Sequence, residues 1–151
     1  MQSTDCTAEA VPVTGAKQGR RGGAGGGVRV LVVDDTEHVR TMIAEMLGLD
    51  GFDVVATTGD GELAPDLCVR HDPHVVVMDL RMPGVDGLEA TRRVRAVRPE
   101  QVVIVYTAYT DAVLAEQARE AGAALVLGKV DGLPALEREL SRVAEELLSA
   151  G

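Results

Sequence analysis

Aromatic residues are nearly missing from this chain: no tryptophan, two tyrosines and one phenylalanine in 151 residues. Phe52, Tyr106 and Tyr109 are too few to build a platform on which nucleic-acid bases stack. Basic residues are also a minority, 15 against 24 acids, for a formal charge of −9. Before Val28 stand Asp5 and Glu9 against Lys17, Arg20 and Arg21, so the remainder holds 22 acids and 12 bases. An acidic body without a basic stripe argues against nucleic acid as a partner. The two cysteines, Cys6 and Cys68, have no metal or disulfide spacing. They read as unpaired thiols, with Cys68 partly buried in a helix. No apolar run approaches the length of a membrane span. The first residues lack the charged start and apolar stretch of a secretory signal, and Arg20-Arg21 leads into glycines. A cytoplasmic protein without a membrane partner is expected.

Apolar residues, at 46%, are enough for one domain with a single core. Residues 1–27 read as a disordered tail, with seven glycines between Gly15 and Gly27 and few apolar side chains. Those glycines precede the first strand rather than joining a strand to a helix, so neither the dinucleotide nor the P-loop pattern applies. From Val28 to about Ser149, strand and helix alternate five times. Helical spacing runs from Val39 through Met42, Ile43, Met46 and Leu47 to Leu49, and Gly51 closes it. A short strand is expected over Phe52–Ala56 and a helix over Glu62–Arg70, with Pro65 an awkward member. Leu88, Ala90, Thr91, Val94 and Val97 mark a third helix that Pro99 blocks. A fourth runs from Asp111 to Ala121, stopped by Gly122, and a fifth carries Leu133, Leu136, Leu140, Val143 and Leu147. Short apolar strands separated by such helices predict an α/β fold: a three-layer (βα)5 doubly wound parallel sheet.

Four apolar runs end on chemistry. Val28–Val33 is followed by Asp34-Asp35, His74–Met78 by Asp79, Val102–Tyr106 by Thr107, and Leu125–Leu127 stops just before Lys129. Ligands of open parallel sheets bind outside the carboxyl ends of the strands. Three carboxylates, a hydroxyl and an ammonium on one rim suit a divalent cation and a phosphoryl group. Clustered aspartates repel and raise one another's pKa, which a hard cation such as Mg²⁺ relieves. Helix capping is the bland reading of Asp34-Asp35, β-propensity that of Thr107, and a surface ammonium that of Lys129.

The segment Val76-Val77-Met78-Asp79-Leu80-Arg81-Met82-Pro83-Gly84-Val85-Asp86-Gly87 resembles the phospho-acceptor segment of bacterial response-regulator receiver domains. Steps of 44, 28 and 22 residues link Asp35, Asp79, Thr107 and Lys129, similar to that family's spacing. The resemblance implies a flavodoxin-like sheet of strand order 2-1-3-4-5, resembling a chemotaxis receiver. It implies Asp79 as phospho-acceptor, and Mg²⁺ held directly by Asp35, through water by Asp34, and by Asp79 and the Arg81 backbone carbonyl. Thr107 and Lys129 would contact the phosphoryl oxygens. The phosphoryl donor would be a histidine kinase or a histidine phosphotransfer protein. An unknown target protein would bind the last two helices and last strand. With 22 residues after Lys129, a stand-alone response regulator is expected, not an enzyme beyond its own phosphorylation and autodephosphorylation.

Two positions depart from the pattern. Val126 stands where most receivers carry an aromatic switch residue, and Val130 where most carry proline. Tyr106 and Tyr109 are candidates for the aromatic role, with core packing the preferred reading of Tyr106. The alternatives are a Mg²⁺-dependent phosphohydrolase with an aspartyl nucleophile, and a receiver that binds proteins without phosphorylation. Asp34-Asp35-Thr36 lacks the D-x-D spacing usual in the former.

Overall fold

The computed structural model describes residues 27–108 and 111–150. The expected tail therefore lies outside the described residues, apart from Gly27, and so does Tyr109. Five strands form one sheet: β1 Arg29–Val33, β2 Asp53–Thr58, β3 Val75–Met78, β4 Val102–Thr107 and β5 Leu125–Gly128. All neighbours are parallel, in the order β2-β1-β3-β4-β5. The helices are α1 Glu37–Leu49, α2 Ala64–His71, α3 Gly87–Val97, α4 Ala112–Ala121 and α5 Gly132–Ala150. This is the expected three-layer flavodoxin-like arrangement.

The sheet is covered on both faces. Ile43 and Leu47 of α1 and Leu136 and Leu140 of α5 pack on Val30, Val32, Val77, Ile104 and Tyr106. Leu67 of α2 and Ala90 and Val94 of α3 pack on Leu31, Val33, Val76 and Met78. Ala118 of α4 meets Val105 and Leu80. Burial on both faces is why β1 and β3 read as unbroken aliphatic runs instead of alternating.

Element ends differ from expectation where caps and turns decide them. The second helix begins with a 3₁₀ turn, Gly61–Leu63, before α2 proper at Ala64. Pro65 thus falls in the first turn, where its missing N–H leaves no helical bond unmade. Strand β2 runs on to Thr58, because Thr58 O still accepts from Asp34 N at 3.0 Å. Asp86 and Asp111 are side-chain N-caps, accepting from Glu89 N at 2.9 Å and Leu114 N at 2.8 Å. Gly51 and Gly122 close their helices at φ 90° and 117°. Cys68 is fully buried rather than partly, and burial pushes its thiol up to about 12. Such a thiol is unreactive.

Candidate functional site

Register brings the strand ends together. Val33 pairs with Met78, Met78 with Val105, and Thr107 with Gly128, so the residues that follow share one rim. Asp79 N donates to Val33 O at 2.9 Å, which ties the end of β3 to that of β1. Carboxylate oxygens of Asp34, Asp35 and Asp79 all lie within 4.8 Å of one another. Lys129 reaches in from the end of β5. Its Nζ lies 2.7 Å from Asp34 Oδ2 and 3.5 Å from Asp79 Oδ2.

The three aspartates have different surroundings. Asp34 and Asp79 are 2% and 6% exposed, whereas Asp35 is exposed. Both oxygens of Asp34 are engaged, Oδ2 by Lys129 and Oδ1 by the Thr36 N–H at 3.0 Å. Neither Asp34 nor Asp35 is the N-cap of α1, a position held by Thr36 without a side-chain bond. The capping reading thus survives only as one Asp34 oxygen on the loop before the helix. Asp79 Oδ1 is buried without a hydrogen-bond partner.

Burial raises the Asp79 pKa above the ordinary carboxylate value, and the Asp34 charge adds to the rise. Lys129 and a hydrogen bond from Thr107 only partly offset them. For Lys129, burial works to depress the ammonium's pKa, but its contacts with Asp34 and Asp79 outweigh it and leave the pKa raised. Among the described residues, three carboxylates therefore face one ammonium. An oxygen-only donor set with an unpartnered buried oxygen and surplus negative charge fits a hard divalent cation.

Arg81 lies in the exposed turn two residues beyond Asp79. Val105 and Val126 are register partners and pack on the side of the sheet that α4 covers. Tyr106 packs on the opposite face, against Leu136 and Leu140. Core packing is thus its role, and it cannot replace an aromatic at 126. Val130 is 88% exposed, in the 3₁₀ turn Lys129–Asp131.

Three supports of the site escaped the sequence reading. Gly87, noted there only as part of a pattern, starts α3 directly against the end of β3. A Cβ on it would lie 2.1 Å from the Asp79 carbonyl oxygen, and its N–H donates to Leu80 O at 2.8 Å. The other two are Arg40, which donates to the Asp34 carbonyl, and Gly59, on which a Cβ would lie 2.7 Å from Arg40 Nη1. No local pattern marks either, because their contacts form only in the folded chain.

A family model described as the response regulator receiver domain matches residues 30–140. The chain belongs to that family. It is 38% identical over 121 residues to the transcriptional regulatory protein PdtaR of Mycobacterium tuberculosis, covering 78% of this chain and 58% of that protein. It is 38% identical over 117 residues to the response regulator GacA of Pseudomonas aeruginosa, covering 77% of this chain and 55% of GacA. A protein-glutamate methylesterase/protein-glutamine glutaminase of Haloarcula marismortui is 38% identical over 124 residues, 81% of this chain but 33% of that protein. The chain thus spans between a third and three-fifths of these relatives' length. Among solved structures, the Vibrio cholerae chemotaxis protein CheY4 superposes with TM-score 0.72 at 27% identity, covering 78% of this chain and 98% of that one. The signal receiver domain of NarL from Mycobacterium tuberculosis gives TM-score 0.67 at 30% identity, covering 82% and 95%. As a receiver domain the protein works in two-component signalling. Receiver domains generally bind Mg²⁺ in an acidic pocket and meet histidine kinases or phosphotransfer proteins. No helix among the described residues is long and apolar enough to cross a membrane.

Proposed function

We propose that this receiver domain accepts a phosphoryl group on Asp79 from the phosphohistidine of a histidine kinase or histidine phosphotransfer protein. One observation carries the reading. A buried Asp79 oxygen without a hydrogen-bond partner stands at the end of the central strand, in reach of two further carboxylates. In the transfer, an Asp79 oxygen forms a bond to phosphorus as the bond from phosphorus to imidazole nitrogen breaks. The nitrogen keeps the electron pair and takes a proton from solvent.

Asp35, exposed and beside Asp79, is the direct carboxylate ligand for Mg²⁺, with Asp79 and the Arg81 carbonyl completing the protein's share. Asp34, with both oxygens engaged, acts through water. Bound Mg²⁺ would supply charge neutralisation as the phosphoryl group moves from the imidazole nitrogen to the Asp79 oxygen. Lys129 is already in the pocket and shifts its ammonium toward the new phosphoryl oxygens, while the Thr107 hydroxyl donates to another. The domain turns over no external substrate beyond its own phosphorylation and dephosphorylation, and works in the cytoplasm, where kinase and ATP are. Its output runs through a protein contact on the face built by α4, β5 and α5.

Incubation with Mg²⁺ and acetyl phosphate should add one hydroxylamine-sensitive phosphoryl group per chain, detected by intact-mass spectrometry. Full labelling of Asp79→Asn would sink the assignment. Sustained turnover of small phosphomonoesters would favour the hydrolase reading instead.

A further inference from the structure

Arg40 sits in the first half of α1, and nothing in the reaction above uses it. Its Nη1 donates to the main-chain carbonyl of Asp34 at 2.7 Å. The side chain thus folds back past the start of its own helix onto the loop that carries both aspartates. Facing it is Gly59, the residue after β2. A Cβ at position 59 would lie 2.7 Å from Arg40 Nη1, 3.4 Å from Asp35 Cα and 3.5 Å from the Asp34 carbonyl oxygen. The missing side chain is what leaves room for the guanidinium, since a Cβ there would meet the Asp34-Asp35 backbone only in ordinary contact. On the same loop, Asp34 N donates to Thr58 O at 3.0 Å, so the Asp34 main chain is gripped at both its N–H and its carbonyl.

We propose that Arg40, seated against Gly59, is a positioning residue that fixes the Asp34-Asp35 backbone and thereby aims the Asp35 carboxylate at the bound cation. This rests on the reading of the site as a Mg²⁺ site. The side chain of Asp34 is already held by Thr36 and Lys129. Asp35 is exposed, so the point from which its carboxylate reaches the ion is set by its main chain. Partners that orient ligands of a metal in this way typically contribute about tenfold or more to affinity. Charge alone makes the opposite prediction. A guanidinium this near a cation site repels the ion, so deleting it should tighten binding.

The test is a Mg²⁺ titration of the full chain without phosphodonor, alongside melting of the Mg²⁺-free protein. Arg40→Ala should weaken Mg²⁺ binding about tenfold. Gly59→Ala should weaken it comparably although every charge remains, and Arg40→Lys, which keeps a donor, should recover most of the affinity. In an Asp35→Asn background Arg40→Ala should add little further loss, a dependence that general destabilisation would not produce. Unchanged or tighter binding by Arg40→Ala overturns the proposal. Should that variant fail to fold, full affinity in Gly59→Ala overturns it alone. A parent chain that binds no Mg²⁺ refutes the functional reading itself, which keeps the two failures distinct.

Discussion

Lys129 stands 2.7 Å from Asp34 Oδ2 but 3.5 Å from Asp79 Oδ2. The Lys129 ammonium is therefore anchored on the aspartate proposed to act through water, not on the proposed nucleophile. Asp79 keeps an unpartnered oxygen and an imperfectly balanced charge. The protein holds the proposed phospho-acceptor in a costly state that a bound cation would relieve.

Removing that charge should stabilise the metal-free protein. In chelator at neutral pH, Asp79→Asn should melt higher than the parent by roughly 2–5 °C, the range for about 1 kcal/mol in a domain of this size. Saturating Mg²⁺ should shrink or reverse the gap, since the parent, with one more carboxylate in the site, gains more from binding. A variant that melts lower than the parent in chelator would contradict the account.

At the opposite end of the sheet, Asp72 bridges Arg98 at 2.6 Å and Arg29 at 3.1 Å. Its hydrogen bond with Arg98, reinforced by that charge, holds its carboxyl below the usual range. A lowered pKa means that the unfolded chain binds the proton more tightly. The stabilisation is therefore present at neutral pH and is lost as pH falls from the ordinary carboxylate value through the lowered one. Asp72→Asn, which tolerates the left-handed backbone at φ 52°, should melt slightly below the parent at pH 7. The gap should narrow in acid and in high salt, because the bridge is exposed. A gap independent of both would mean that packing, not charge, carries it.

Gly87→Ala should be among the most damaging single-carbon additions in the domain. Its Cβ would press 2.1 Å from Asp79 O and 2.6 Å from Leu80 Cα, both main-chain atoms with no rotamer to escape through. A loss of about 3 kcal/mol is expected from urea unfolding. Phosphoryl acceptance should fall as well, since relief of the clash must move Asp79. Parent-like stability would show that α3 can shift freely.

Activation should not rely on a swinging aromatic in β5. Val126 has a β-branched side chain with restricted rotamers and packs with Val105 and Leu114. A phosphoryl group on Asp79 should pull the Thr107 hydroxyl inward, and the movement should pass along the loop into α4. NMR shift changes between free and beryllofluoride-bound protein should therefore concentrate at residues 107–115 and be smaller at 125–127. Maxima at Val126 and in α5 would refute this route.

A chain beginning at Gly27 should keep the melting temperature and labelling rate of the full chain, because the preceding residues carry no apolar periodicity. A drop of many degrees would show that they pack on the domain.

The sequence by itself determined the fold class and most of the rim chemistry. Parallel strands buried on both faces must be aliphatic runs, and whatever follows such a run lands on the ligand-binding edge, so Asp34, Asp35, Asp79, Thr107 and Lys129 could be picked out from order alone. Turn and cap details were less legible. Pro65 looked misplaced until the 3₁₀ turn moved the start of α2 to Ala64. What only the tertiary structure decided is how the rim is wired. Lys129 and Asp34 are 95 residues apart, and nothing local to either shows that they pair more closely than Lys129 and Asp79. The face that Tyr106 occupies, the space at Gly59 and the reach of Arg40 depend on atoms from several elements meeting at once. Periodicity along a chain records which face a residue takes, but a clash or a hydrogen bond between distant segments exists only after the segments have packed.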